Sequence, residues 1–485
     1  MSGSLTRTQA SPSTLRGMGQ SRADIQRSGC VALFHHGGGC GAVALVVFAG
    51  HRVPAGGAPL CGQCAQVADQ TGVTGVYGGF AQPEIKGWCP GLFAPMEAAD
   101  GWLVRVRPTL GRLEAAQAFL LADVARKMGN GRISLTNRAS LQLRGFSADA
   151  ARRFPDIAVA AGLGLVDAGM ERRQAMLVSP LAGDDPSCAV DTIACAESLR
   201  NALIGAEALT ALPGKFGFAV DGGGLYPAGL LRADITLRAV GPGQWSVVCG
   251  NMRGLPTTYA VAASQAVGLA QVFVASHQNV RPQRNRAVGQ VLFELLGVAG
   301  QLHIAAPTPA GACCGRVGPL GHGLFALSAP MGCMTADTLH DCATVAAAQG
   351  DGILRLTPWH TLVLGGMAQA PAVAGMVADP HSPLLRIWAC SGAGACAQAA
   401  GETEDLARRL APLLPDGAHL HVSGCRKGCA HPAATDFTLV AGGQGYGLVR
   451  NGSATGEVES LFVNEQAVYK AFELFKNEGA VDAGL

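Results

Sequence analysis

Two stretches decide the fold: GRLEAAQAFLLADVARKMGNGRISLTNRASLQL at residues 111–143 and GCMTADTLHDCATVAAAQGDGILRLTPWHTLVL at residues 332–364. They align without a gap at a constant offset of 221 residues. Gly111 meets Gly332, Gly129 meets Gly350, Leu135 meets Leu356, Thr136 meets Thr357 and Leu141 meets Leu362. Both read alike. Apolar residues at helical spacing over 113–128 and 335–349 predict a helix. Gly129-Asn130-Gly131 and Gly350-Asp351-Gly352 close those helices and turn the chain. Short strands are expected at 133–136 and 141–143, and again at 353–357 and 362–364. WLVRVR at 102–107 alternates up to Pro108 and predicts a leading strand, matched by GLFALS from Gly323. The chain is therefore an internally duplicated α+β protein. The expected architecture is pseudo-twofold with a cleft between the halves, a common place for a ligand.

Composition bounds the rest. The 485 residues suffice for two or three domains, and 49% hydrophobic content with 14% charge at a net +2 argues for a folded protein. Near-neutrality argues against nucleic acid as a partner, since phosphate contacts need concentrated basic charge. No apolar run approaches the roughly 18 residues that a membrane-spanning helix needs. Sixteen cysteines in a chain this large read as thiols of a reducing compartment, some of them on metal. The expected location is cytoplasmic.

Four of those cysteines carry the strongest chemical signal. Cys390 and Cys396 stand as C-x5-C in ACSGAGAC, and Cys425 and Cys429 as C-x3-C in SGCRKGCAHP. Four thiolates in two close pairs on Gly-rich loops suit a 4Fe-4S cluster, because glycine lets backbone fold tightly around a bulky inorganic core. Cys188 and the adjacent Cys313 and Cys314 read as ordinary core or loop thiols. Cys61 and Cys64 form a C-x-x-C without a second ligand pair. Gly39-x-Gly41-x-x-Ala44 lacks a preceding strand and is a weak dinucleotide fingerprint. Residues 1–82 are Gly-, Ser-, Arg- and Gln-rich without a sustained period. They are expected to be disordered, or to arise from an early start codon.

With the duplication and the cysteines in hand, the chain from about residue 83 onward resembles the sulfite and nitrite reductase superfamily. That superfamily is built from two such repeats and carries C-x5-C and C-x3-C near its end. LTNRASLQLRG (135–145) is similar to its L-T-x-R-x-x-x-Q signature, LVRVRP (103–108) to its R-x-R strand and LPGKF (212–216) to its L-P-x-K-F segment. KGWCPGLFAPM (86–96), VSPLAGDDP (178–186), LPGKFGFAVDGGG (212–224) and GCRKGCAHP (424–432) resemble one branch, the precorrin-3B synthase family of aerobic cobalamin biosynthesis.

The resemblance implies an order of parts. A first ferredoxin-like half-domain would occupy 83–148 and a first reductase-like domain 149–305. A second half-domain would occupy 306–370, and a second reductase-like domain with the cluster ligands 371–485. It makes Cys390, Cys396, Cys425 and Cys429 the cluster ligands and Arg107, Arg138, Arg173 and Lys215 the anion-handling cations, with Arg138 and Lys215 the candidate catalytic residues. Guanidinium forks suit a polycarboxylate macrocycle. The implied activity is O2-dependent hydroxylation of precorrin-3A at C20 with lactone formation. Beside the cluster the resemblance implies a second centre, mononuclear non-haem iron or sirohaem. Electrons would come ultimately from NAD(P)H through a separate reductase or ferredoxin-like partner.

Two departures from the reductases matter. The position two after Lys215, commonly basic in sulfite reductases, is Gly217, and the C-x3-C loop carries Arg426-Lys427-Gly428 followed by His431. Both weaken the competing reading, a sirohaem-dependent sulfite or nitrite reductase. A non-catalytic iron-sulfur carrier has no need of a basic cleft. His431 reads either as an iron ligand or neighbour, or as a loop histidine on Pro432.

Overall fold

The computed structural model describes residues 30–33, 45–48, 80, 84, 88–231, 233–302 and 315–482. Cys61, Cys64, Cys313, Cys314 and the 39–44 glycine motif lie outside them. Within the N-terminal segment, where the sequence shows no strand period, Cys30–Leu33 and Leu45–Phe48 pair antiparallel. The chain divides into two units. The larger comprises 84–387 with 394–397, and the other 388–393, 398–485 and the N-terminal residues.

In the larger unit the two sequence repeats fold alike and exchange a strand. The first sheet runs Cys333–Thr335, Arg132–Leu135, Leu141–Phe146, Gly101–Val106, Met96–Ala98. The second runs Gly318–Gly321, Leu324–Ser328, Thr361–Leu364, Ile353–Leu356, Arg112–Glu114. Each sheet thus ends on three residues from the other repeat, which the helical spacing had placed at or before a helix start. The helices proper are Ala115–Met128 and Ala336–Gln349. Glu114 and Gln117 form a capping box on the first, and Thr335 Oγ1 accepts from Thr338 N on the second. Each helix also opens on the opposite repeat: Ala115 N donates to Gly352 O and Ala336 N to Gly131 O, both at 2.8 Å.

The backbone repeats the sequence offset even where side chains differ. Leu110 and Met331 are left-handed at φ 54° and 58°, Ala139 and His360 at 49° and 59°. Non-glycine residues seldom adopt this region, so its recurrence at equivalent positions marks one ancestral unit used twice. Both helices press small residues into a shared core: Ala118, Ala122 and Ala125 from one, Ala343 and Ala346 from the other, with Leu121 and Leu339. No side chain beyond the β-carbon has to be accommodated at the alanines, so the helices approach closely.

The same unit carries a six-stranded sheet. Met176–Val178, Phe218–Asp221 and Ile235–Gly241 run parallel, followed antiparallel by Gln244–Cys249, Met252–Gly254 and Gly300–Leu302. Helices Thr192–Gly205, Tyr259–Ala275 and Val288–Leu296 contribute to its core with Phe216, Phe218, Trp245 and Phe273. The other unit repeats the scheme with Ile387–Ala389, Leu420–Ser423, Thr435–Gly442, Gly445–Gly452 and Ser460–Phe462, parallel between the second and third and antiparallel thereafter. Among the described residues no helix is long and apolar enough to cross a membrane.

Candidate active site

Three guanidiniums gather on the first repeat. Arg105 is the penultimate residue of the strand Gly101–Val106, and Arg107 lies just past its end, on the same face by the strand period. Arg138 sits in the turn between Arg132–Leu135 and Leu141–Phe146. Thr136 Oγ1 accepts from Arg138 N and lies 2.7 Å from Ser140 Oγ. Gln142 Oε1 accepts from Arg105 Nε at 3.2 Å and Nη2 at 2.5 Å. Burial, then the charges of Arg107 and Arg138, pull the Arg105 pKa down to about 10, still protonated at neutral pH. Burial also lowers that of Arg107, with Glu171 opposing and Arg138 adding to the fall. Cations held together against their own repulsion suit a polyanionic ligand.

Beneath Arg107, Glu171 is buried with Oε1 unpartnered, while Oε2 accepts from Leu165 N at 2.9 Å. Burial raises its pKa, against the pull of that bond and of Arg107.

Lys215 joins this group through its backbone. Its carbonyl accepts from Arg138 Nη2 at 3.3 Å and from Arg281, and its side chain is exposed. Arg281 Nη1 also donates to the buried Asp234 Oδ2 at 2.8 Å, which accepts from Gly217 N at 2.9 Å. Asp234 therefore fixes the LPGKF loop. A β-carbon on Gly217 would stand 3.4 Å from Arg138 Nη1, so the missing cation of the sulfite reductases leaves room that Arg138 borders.

Arg173 is placed elsewhere. Its guanidinium donates to Ile204 O at 2.8 and 3.2 Å and to Thr210 Oγ1 at 2.7 Å, binding the C-terminal end of helix Thr192–Gly205. The same residue types do not recur on the second repeat. Positions equivalent to Arg105, Arg107 and Arg138 are Ala326, Ser328 and Trp359, and Ala326 and Trp359 pack with Tyr226, Leu324 and Val363. One copy presents charge and the other is filled by core.

VSPLAGDDP serves the fold. Asp184 accepts from Arg355 Nε and Nη2, both at 2.7 Å, and from Arg112 Nη2 at 2.6 Å. Asp185 accepts from Ser187 N and Leu225 N.

In the C-terminal unit, Cys390 follows strand Ile387–Ala389, and Cys425 and Cys429 follow strand Leu420–Ser423. Cys396 lies on residues 394–397, which group with the larger unit. Gly424 N donates to Cys390 Sγ at 3.1 Å. Burial pushes the Cys390 thiol up, while Gly424, Gly392 and Thr403 hydrogen bonds favour the thiolate. The first reductase-like sheet makes the corresponding bond, Gly222 N to Ser179 Oγ at 3.1 Å, with serine where the second has cysteine. Gly392, Gly394 and Gly428 are left-handed at φ 71°, 79° and 61°, conformations that suit glycine. Among the described residues, no three His, Cys, Asp or Glu side chains are drawn together as a metal-binding group. The donor chemistry nonetheless suits a cluster: cysteine thiols on tight glycine turns, with a backbone N–H aimed at the Cys390 sulfur.

Histidines surround these loops. His431 stacks on Trp388 with ring centroids 4.1 Å apart, and burial lowers its pKa. His421, fully buried, is driven down to about 4 by burial and by His431. Arg426 is engaged with Thr455 O and Gly456 O and lies over Phe80 at 5.8 Å. The packed part of this unit thus includes a residue before position 83. Arg105, Glu171, Arg281 and His421 escaped the sequence reading. Only Arg105 left a usable signal there, its two-residue spacing from Arg107 on an alternating strand.

Comparison with known proteins gives the class first. Residues 95–154 match the nitrite/sulfite reductase ferredoxin-like half domain. The fold matches the solved NirA protein of Mycobacterium tuberculosis at TM-score 0.55 and 18% identity, covering 77% of this chain and 79% of that one. The ferredoxin–nitrite reductase of Synechococcus elongatus is 26% identical over 72% of this chain and 78% of its own length. These define an oxidoreductase of the sulfite and nitrite reductase superfamily, whose cofactors are iron-sulfur clusters and sirohaem-type groups. A precorrin-3B synthase of Sinorhizobium sp is 33% identical over 411 residues, 80% of this chain and 87% of that protein. The chain belongs to the precorrin-3B synthase family.

Proposed function

We propose that the protein hydroxylates precorrin-3A at C20 with lactone formation, using O2 and externally supplied electrons. One oxygen atom enters the substrate. The other leaves as water with two electrons and two protons, the electrons coming ultimately from NAD(P)H through a separate donor protein. The observation that carries this reading is the desolvated pair Arg105 and Arg107 with the exposed Arg138 beside them, a receptor for carboxylates on a face whose duplicate is largely apolar.

Arg138 and the exposed Lys215 side chain engage the peripheral carboxylates. Arg105, set by Gln142, and Arg107, above Glu171, hold the deeper ones. Guanidinium forks fix the plane of the macrocycle by bidentate bonds. Cys390, Cys396, Cys425 and Cys429 are assigned as the cluster ligands. The cluster, when bound, supplies single electrons, and a second iron centre, non-haem or sirohaem, supplies oxygen chemistry. The chain's own part is to bind, orient and exclude water.

The test is anaerobic purification with iron and sulfide analysis, then precorrin-3A turnover under O2 with Arg138→Ala and Lys215→Ala. Each lost charge-assisted bond is worth about 1.5–3 kcal/mol, one to two decades in affinity. Unchanged kinetics in both variants would remove the substrate site from this face. Intense haem bands with sulfite or nitrite turnover would favour the reductase reading.

A further inference from the structure

His421 lies on the buried strand Leu420–Ser423, fully shielded from solvent, with no hydrogen-bond partner on Nδ1 or Nε2. A buried imidazole normally places one nitrogen against an acceptor and the other against a donor. Among the described residues neither is met. The ring faces the C-x3-C loop: a β-carbon on Gly428, the residue before Cys429, would stand 3.7 Å from His421 Cε1, the carbon between the two orphaned nitrogens. The His431 ring is 6.1 Å away and edge-on, without a bond to it. Strand alternation puts His421 on the face shared with Ser423, whose hydroxyl donates to Cys425 O at 2.7 Å. The unmet ring nitrogens therefore lie beside the segment that carries two of the assigned cluster thiols.

We propose that His421 donates its ring N–H to a sulfur of the cluster held by these cysteine loops, and that this bond raises the cluster's reduction potential. The proposal rests on the cluster assignment above. A sulfur acceptor becomes more negative on reduction, so a donor facing it favours the reduced state. Gly424 N plays the same part toward Cys390 Sγ. Hydrogen bonds to cluster sulfurs are among the levers that set such potentials. His421 is a tuning residue and touches no substrate in this scheme.

The experiment uses the anaerobically prepared full chain and its variants His421→Phe, which conserves ring volume, His421→Leu and His421→Gln. Iron and sulfide are counted in each, and the cluster is titrated potentiometrically with detection by electron paramagnetic resonance. The expected result is wild-type iron and sulfide in the Phe variant, with its midpoint moved to lower potential. At fixed poise the reduced-to-oxidised ratio falls about tenfold, equivalent to about 59 mV for one electron. The Gln variant, which keeps an N–H, recovers part of that shift. If the Phe variant loses its cluster, the Leu variant is expected to show the same fall.

An unchanged midpoint in a cluster-loaded Phe or Leu variant overturns the proposal and assigns the ring a trapped water. Loss of iron without sulfide at unchanged midpoint overturns it in favour of a separate iron on the imidazole. Absence of iron and sulfide from the wild-type chain defeats the cluster assignment itself, a distinguishable failure.

Discussion

Asp184→Asn tests whether VSPLAGDDP works as a structural clamp. Arg355 is 1% exposed, and Asp184 answers its Nε and Nη2 with both oxygens at 2.7 Å. Asp351 provides the second counter-charge, at 2.5 and 3.3 Å, and Ile353 O a further acceptor. The amide variant leaves a buried guanidinium with one carboxylate instead of two and sets an NH2 group against N–H donors. Of the three bonds Asp184 accepts from Arg355 and Arg112, at least one is lost outright, worth about 1.5–3 kcal/mol, and breaking a buried pair costs about 3–5 kcal/mol. Because Asp351 remains, the lower end applies: about 3 kcal/mol.

Asp351→Asn is the control. That side chain is 33% exposed, so water compensates and the loss should be clearly smaller. Urea unfolding followed by circular dichroism, with unchanged slope, reads both values. Combining Asp184→Leu with Arg355→Met should recover much of the stability, since an apolar replacement of the whole group leaves no charge unpaired. The reasoning is refuted if Asp184→Asn costs less than about 1 kcal/mol or no more than Asp351→Asn.

Serine at Cys390, Cys396, Cys425 or Cys429 should strip or destabilise the cluster, read as iron and sulfide per chain, whereas Cys188→Ser should leave both unchanged. Gly217→Lys should fail to create sulfite affinity, because its β-carbon meets Arg138 Nη1 at an ordinary contact distance of 3.4 Å and its ammonium repels that guanidinium. Spectroscopic titration should instead show macrocycle binding weakened about tenfold. Burial lowers the His360 pKa, so the unfolded chain takes up its proton first as pH falls. This contribution to stability is whole above about pH 6.5 and is lost as pH drops toward the folded value. His360→Asn, which tolerates the φ of 59°, should flatten the stability-against-pH slope between about pH 7 and 5 in urea unfolding.

The repeat was legible because apolar spacing and glycine turns survive at a fixed offset. The exchanged strands were not, because Arg112–Glu114 and Cys333–Thr335 are three residues long and show no period of their own. They also abut helical patterns that absorbed them. The thiol pairs stand out in the sequence by their spacing, while their role as cluster ligands is a proposal that rests on the resemblance. Arg138 and the backbone of Lys215 do lie together, but Arg173, carried over by resemblance, is consumed by Ile204 O and Thr210. Arg281 and Asp234, 47 residues apart, carry no local signature. His421 in an apolar strand looks in sequence like any core histidine. Only its two unmet nitrogens set it apart.

The strand exchange has a consequence for ancestry. A single copy of the unit has one open sheet edge and one strand with no sheet of its own to join. A second identical copy answers both needs at once, since the donated strand and the receiving edge are on the same chain. A solitary unit would thus be complete only as a swapped homodimer, and the present chain achieves the same exchange within one polypeptide. Within one chain the two copies can differ in sequence without losing their partnership. One presents Arg105, Arg107 and Arg138, and the other has Ala326, Ser328 and Trp359 there, with Ala326 and Trp359 in an apolar cluster.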